Sequence, residues 1–160
     1  MYKRQLLYHL HPPTQVSELK GYIDVSPKVA VEHNMQMRAF KGFDIPAHID
    51  VLQSRIPVLT NNDVTLHLAK PQQSNTTYFY KNVDADEVIF IHHGEGKLKT
   101  QLGNIDFVEG DYLVIPRGMI YQMEFKNENN KHFIIESSHP IYTPKRLSLI
   151  HISEPTRLAE

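Results

Sequence analysis

Two adjacent histidines and a glutamate crowd the stretch Ile91-His92-His93-Gly94-Glu95-Gly96-Lys97-Leu98. Imidazole nitrogens and carboxylate oxygens are the donors that hold zinc, iron or manganese, so the group invites a mononuclear metal centre. The chain has no cysteine, which excludes disulfides and thiolate ligation and leaves His, Asp and Glu as the plausible metal ligands. The local spacing argues against a shared ion. Glu87 to His93 is an apolar, β-branched run that reads as a strand, and successive side chains on a strand leave opposite faces. Val88, Phe90 and His92 then share one face, and Ile89, Ile91 and His93 the other. With Gly94 and Gly96 flanking Glu95, the polar trio is expected at the tip of a hairpin.

The elements around this stretch are also strand-like. "GKLKTQLG" alternates, and "DFVEGDYLVIPRGMIYQMEF" strings short apolar runs between Gly110, Pro116 and Gly118. Gly103-Asn104 is expected to form a two-residue hairpin turn, and "NENNK" at Asn127 to Lys131 a polar turn leading into "HFIIES". Earlier, "VAVEHNMQM" and "VTLHLAK" read as strands, while "HPPTQVSELK" and "FDIPAHIDVLQSRIPVLTNND" are punctuated by proline and expected to wrap around the rest. The pattern predicts an all-β antiparallel sandwich or barrel with an irregular N-terminal arm, no long helix and no internal repeat.

At 160 residues the chain is the size of one domain, and its net charge of -1 gives no basic surplus for nucleic acid or an anionic membrane. No apolar run has the length of a membrane span and no signal-peptide core follows "MYKRQ", so a cytoplasmic protein is expected. "LSLIHISEPTR", Leu147 to Arg157, is an in-frame translation of a transposase-type sequencing adapter, and "MYKRQ" translates the complementary strand of its end. Residues 1–5 and 147–160 are therefore expected to be adapter-derived tails, and His151 leaves consideration with them. The domain is expected to span 6–146, an internal piece of a longer gene.

"DADEVIFIHHGEGKLKTQLG" and "EGDYLVIPRGMIYQM" resemble the two cupin motifs. That resemblance implies a jelly roll in which three histidines and a glutamate hold a metal. Here the scaffold stays and the ligands go. Glu87 stands where the first-motif glutamate would be, but Phe79 to Val83, before it, hold no histidine. Gly110, Pro116 and Gly118 keep the second-motif spacing, and Tyr121 takes the histidine's place. A neutral phenol is a poor ligand for a divalent ion near pH 7, so no metal is expected in this barrel.

The wording "LLYHLHPPTQV", "YKNVDADEVIFIHHGEGKLKTQLGNIDF", "GDYLVIPRGMIYQMEF" and "ESSHPIYTPKR" resembles the N-terminal domain of the bacterial homogentisate 1,2-dioxygenases. The resemblance implies an enzyme of tyrosine and phenylalanine breakdown that opens homogentisate with O2 to maleylacetoacetate. Its iron(II) is held by two histidines and one glutamate in a C-terminal cupin beyond this sequence. Fe(2+) is thus expected in the longer enzyme and not on this chain. The implied partners are homogentisate, O2, the C-terminal cupin and further copies in a trimer or hexamer. No residue of this chain is assigned as catalytic, cofactor-binding or metal-ligating.

His9 and His11 alternate beside Pro12 and Pro13 and read as part of a packing arm rather than a metal pair. His33, His48, His67, His132 and His139 are scattered, each expected at the surface or in a hydrogen-bonded part of the core. Asp84, Asp86 and Glu87 read as the solvated start of a strand, and Arg117 as a structural salt-bridge partner. Two rival readings stand beside the dioxygenase: a stand-alone metal-free cupin that binds a small ligand or partner protein, and a different ring-cleaving cupin such as one acting on gentisate.

Overall fold

The computed structural model describes residues 10, 15–28, 37, 39 and 41–142. His9, His11, His33, His151, both suspected tails and nearly all of "VAVEHNMQM" lie outside them. The described residues form nine strands and no helix: β1 Arg55–Thr60, β2 Val64–Ala69, β3 Tyr80–Lys81, β4 Asp86–His93, β5 Gly96–Thr100, β6 Gly103–Phe107, β7 Tyr112–Ile115, β8 Ile120–Phe125 and β9 Lys131–Ser137. They pair antiparallel into a five-stranded sheet, β1-β2-β9-β4-β7, and a four-stranded sheet, β3-β8-β5-β6. Residues 15–28 carry no regular structure, in keeping with the expected arm.

Alternation decides which side chains meet between the layers. In β4, Glu87, Ile89 and Ile91 are completely buried while Val88 and Phe90 are half-buried on the other face. Register places Ile89 beside Ile134 of β9 and Leu113 of β7, and on the opposing sheet Leu98 lies beside Met123. These residues, with Phe107, Ile115 and Tyr121, make one continuous core. Each large apolar side chain so buried stabilises the fold by roughly 1.5–3 kcal/mol.

The structure moves three of the expected boundaries. The "IHHGEGKL" stretch is no hairpin, because β4 and β5 belong to different sheets and Gly94-Glu95 turns the corner between them. Gly96 is needed there for space: a Cβ would sit 2.1 Å from the Glu124 carbonyl oxygen and 2.8 Å from the Phe107 ring. The hairpin near Gly103 exists, but its turn is Gln101-Leu102 and Gly103 already pairs with Thr100. The Thr100 hydroxyl accepts from the Leu102 N–H and donates to the Gly103 carbonyl, fixing the turn two residues early. Gly103 supplies the positive φ of 130° that follows it. Finally, "RIPVLT" is not a wrapping loop but edge strand β1. Its proline is accommodated because the outer edge needs no N–H and the pairing shifts between Pro57 and Leu59.

Candidate functional site

The inner faces of β4 and β9 each interrupt an apolar alternation with a charge. Glu87 precedes Ile89 and Ile91, Glu136 follows His132 and Ile134, and register sets the two glutamates directly opposite each other. Like charges on neighbouring strands repel, and burial sharpens the repulsion. Arg55, the first residue of β1, resolves it. Its Nη1 donates to Glu87 Oε1 at 2.5 Å and to Glu136 Oε1 at 3.0 Å, and its Nη2 donates to the Tyr121 hydroxyl at 2.9 Å. Tyr121 donates in turn to Glu87 Oε2 at 2.6 Å. Asn82 Nδ2 adds a bond to Glu87 Oε1 at 3.3 Å.

The group is closed in by aromatic rings. The guanidinium carbon lies 5.2 Å from the centre of the Tyr80 ring, which meets Tyr121 edge to face. The side chains of Arg55 and Glu87 are 7% and 0% exposed, so the ion pair is shielded from water. Burial works against the charge of Arg55, but Tyr121 and Glu87 prevail and raise it well above its ordinary range. Burial first, and then Glu87, hold the Tyr121 phenol well above its usual value against the pull of Arg55. Tyr80 is likewise pushed up to about 12 by burial. Both phenols therefore remain neutral, and Tyr121 keeps the proton it donates to Glu87. Burial also acts to raise the Glu136 carboxyl, yet His67 and Arg55 outweigh it and keep the group below its usual value. His67 Nε2 stands 3.5 Å from Glu136 Oε2. A cavity of about 520 Å³ opens above this cluster, between the barrel and the arm; Ile23, Val25, Leu52, Arg55, His67 and Glu136 are among its lining residues.

The structure separates the adjacent histidines of β4. His92 stacks on Phe43 on the outer face, with ring centres 4.7 Å apart. His93 Nδ1 is 2.8 Å from Glu109, and Glu95 pairs with Lys126 at 3.0 Å. Among the described residues no three His, Asp or Glu side chains are grouped to hold a metal ion. Glu87 and Tyr121, singled out by motif spacing, do come together; Gly110 and Gly118 adopt the positive φ that the second motif requires.

The expected solvated cluster at the start of β4 is divided in the structure. Asp84 is exposed, but Asp86 and Glu87 are buried, since each finds donors: Asp86 accepts from the backbone N–H groups of Arg117 and Ile141 at 2.9 Å. Arg117 is the expected structural partner, with Nε 3.4 Å from Asp86. His48 and His139 are exposed as expected. His132 departs from the expectation of a hydrogen-bonded core: it is 1% exposed with no partner for Nε2. Arg55, Glu136 and Tyr80 were missed by sequence reasoning. The one signal for them is the charge in each inner-face alternation, which demands a counter-charge from elsewhere in the chain.

A family model described as "Homogentisate 1,2-dioxygenase N-terminal" matches residues 2–149. The chain belongs to this family. Its relatives include a Saccharolobus solfataricus protein named "Putative dioxygenase", 35% identical over 140 residues, which are 88% of this chain and 36% of that protein. This member of the homogentisate 1,2-dioxygenase N-terminal family thus spans about a third of that relative's length. Among solved structures, a cupin superfamily protein from Desulfitobacterium hafniense superposes with a TM-score of 0.51 at 20% identity, covering 65% of this chain and 94% of the other. The Schizosaccharomyces pombe Cnp3 cupin domain gives 0.50 at 7% identity, over 57% and 65%. The fold is a cupin jelly roll. A metal ion, which the family suggests, does not fit at the Glu87 site of this domain, because the Arg55 guanidinium already takes the carboxylate oxygens that would face it. Among the described residues no helix is long and apolar enough to cross a membrane.

Proposed function

We propose that this chain is the N-terminal, non-catalytic cupin of an iron(II)-dependent dioxygenase that cleaves the ring of homogentisate with O2 to give maleylacetoacetate. In this reading two histidines and a glutamate of a second cupin hold the iron and perform the chemistry, in the cytoplasm, within a trimer or hexamer. Family membership over residues 2–149 supports the reaction class. The observation that carries the division of labour is Arg55: a fixed cation bonded to Glu87, Glu136 and Tyr121 already fills the point between the two carboxylates. The domain then contributes packing surface and assembly.

Iron content and oxygen uptake with homogentisate test this directly, on this chain and on the protein read from its gene beyond Arg146. Uptake by the longer protein alone is the expected result. Stoichiometric iron with turnover in the short chain would refute the assignment. A stop codon soon after Arg146 would instead favour a stand-alone binding cupin, for which the cavity above Arg55 is the supporting observation.

A further inference from the structure

The Glu87–Glu136 pair already holds a cation, the guanidinium of Arg55. The two carboxylates face each other across β4 and β9 on the buried side of the sheet, with the Tyr121 hydroxyl bonded to one and the His67 imidazole 3.5 Å from the other. Two carboxylates that face one point attract a cation, although with His67 they form no three-ligand group of the kind that holds a metal ion. The position between them is taken by Nη1 of Arg55, 2.5 Å from Glu87 and 3.0 Å from Glu136. A metal would draw both oxygens to roughly 2.0–2.2 Å, a contraction of under about 1 Å. Two carboxylates this close to one point, one buried and the other half-buried, cannot both stay ionised without a positive charge there.

We infer that Arg55 is a tethered stand-in for a metal ion, one that keeps this domain folded without metal and excludes metal from it. A guanidinium held by the chain neither dissociates nor exchanges, so folding needs no ion uptake and the domain does not compete for iron with any other site in the same protein. The planar fork matters as much as the charge: Nη1 serves both carboxylates while Nη2 serves Tyr121, a division that a lysine ammonium on its flexible stem reproduces poorly. The inference concerns only the folding and metal affinity of this chain, and it stands or falls separately from the identity of the substrate.

The test is thermal unfolding of the whole chain with and without Co2+, whose visible absorption reports ligation. Wild type is expected to show no cobalt bands, and its Tm should be the same in Co2+ as in chelator. Arg55→Ala, in chelator, should melt about 10 °C lower, as expected for a chain of this size that loses one partner of a buried ion pair. Co2+ at a hundredfold excess over its Kd should return about 5 °C or more, with cobalt bands at one ion per chain. Adding Glu136→Ala should abolish both. If Arg55→Ala is unfolded in chelator, refolding with Co2+ must restore the β-sheet circular dichroism. Independently, Arg55→Met/Glu87→Gln/Glu136→Gln should melt above Arg55→Met, because it removes the charges that need balancing. A cobalt-silent Arg55→Ala, a wild type that binds cobalt equally well, or a triple variant no more stable than Arg55→Met each overturns the inference.

Discussion

Tyr121→Phe removes one oxygen atom and keeps the ring that fills the barrel. That oxygen donates to Glu87 Oε2 at 2.6 Å and accepts from Arg55 Nη2 at 2.9 Å, at a residue only 1% exposed. Hydrogen bonds to charged groups contribute about 1.5–3 kcal/mol each, and a buried charged group left short of a partner bears its desolvation cost. Two such bonds set an upper limit near 6 kcal/mol. Arg55 and Glu87 remain bonded to each other, and Glu87 also to Asn82, which halves the expected loss to about 3 kcal/mol. The lowered stability should appear as a shift in the urea midpoint without a change in slope, the sign that stability rather than compactness has changed. Tyr112→Phe, at an exposed tyrosine on edge strand β7, should stay within about 0.5 kcal/mol of wild type and serves as the control. A Tyr121→Phe protein as stable as the control would show that the phenol contributes only its ring, and the account of the cluster would be wrong.

Tyr121→His restores the histidine of the second cupin motif, yet it should not create a metal site while Arg55 remains; stoichiometric zinc in the purified variant would contradict this. Gly96→Ala drives a Cβ into the Glu124 carbonyl and the Phe107 ring and should cost about 1–3 kcal/mol in denaturant titrations, with no change if the β4–β5 corner is looser than described. His132 is pushed down to about 3, by burial and then by Arg55, from an ordinary value of 6.5. The unfolded chain therefore binds the extra proton, so this contribution to stability is complete above about pH 6.5 and is lost as pH falls toward 3. His132→Phe should flatten the stability profile between about pH 6.5 and 5, where the carboxylates have not yet titrated; an unchanged slope would place the histidine in a solvated setting.

The alternation of Glu87, Ile89 and Ile91 and the glycine–proline spacing around Tyr121 were enough to predict strands, an all-β sandwich and two members of the buried cluster. What could not be read was pairing across distance. Arg55 meets residues 32, 66 and 81 positions away, and nothing local in "RIPVLT" says which strand it will lie beside. The same limit explains the misread corner at Gly94-Glu95: a short polar turn between strands looks alike in sequence whether it folds back within a sheet or crosses to another. Charge is usually exposed, so the sequence alone places Asp86 and Glu87 in solvent. Their burial depends on donors at Arg117, Ile141 and Arg55, each supplied from another part of the chain.

The position of β9 bears on the order in which the molecule can be made. Lys131–Ser137 comes latest among the nine strands yet lies in the middle of its sheet, between β2 and β4. During synthesis the β1–β2 hairpin and the β4–β7 pair emerge early, but each shows an unpaired edge until this seven-residue strand leaves the ribosome and joins them. Glu136 arrives with it, so the ion cluster closes at the same moment as the sheet. A nascent chain halted before Lys131 holds two half-sheets and an arginine with one carboxylate, a state in which exposed strand edges favour aggregation or a chaperone.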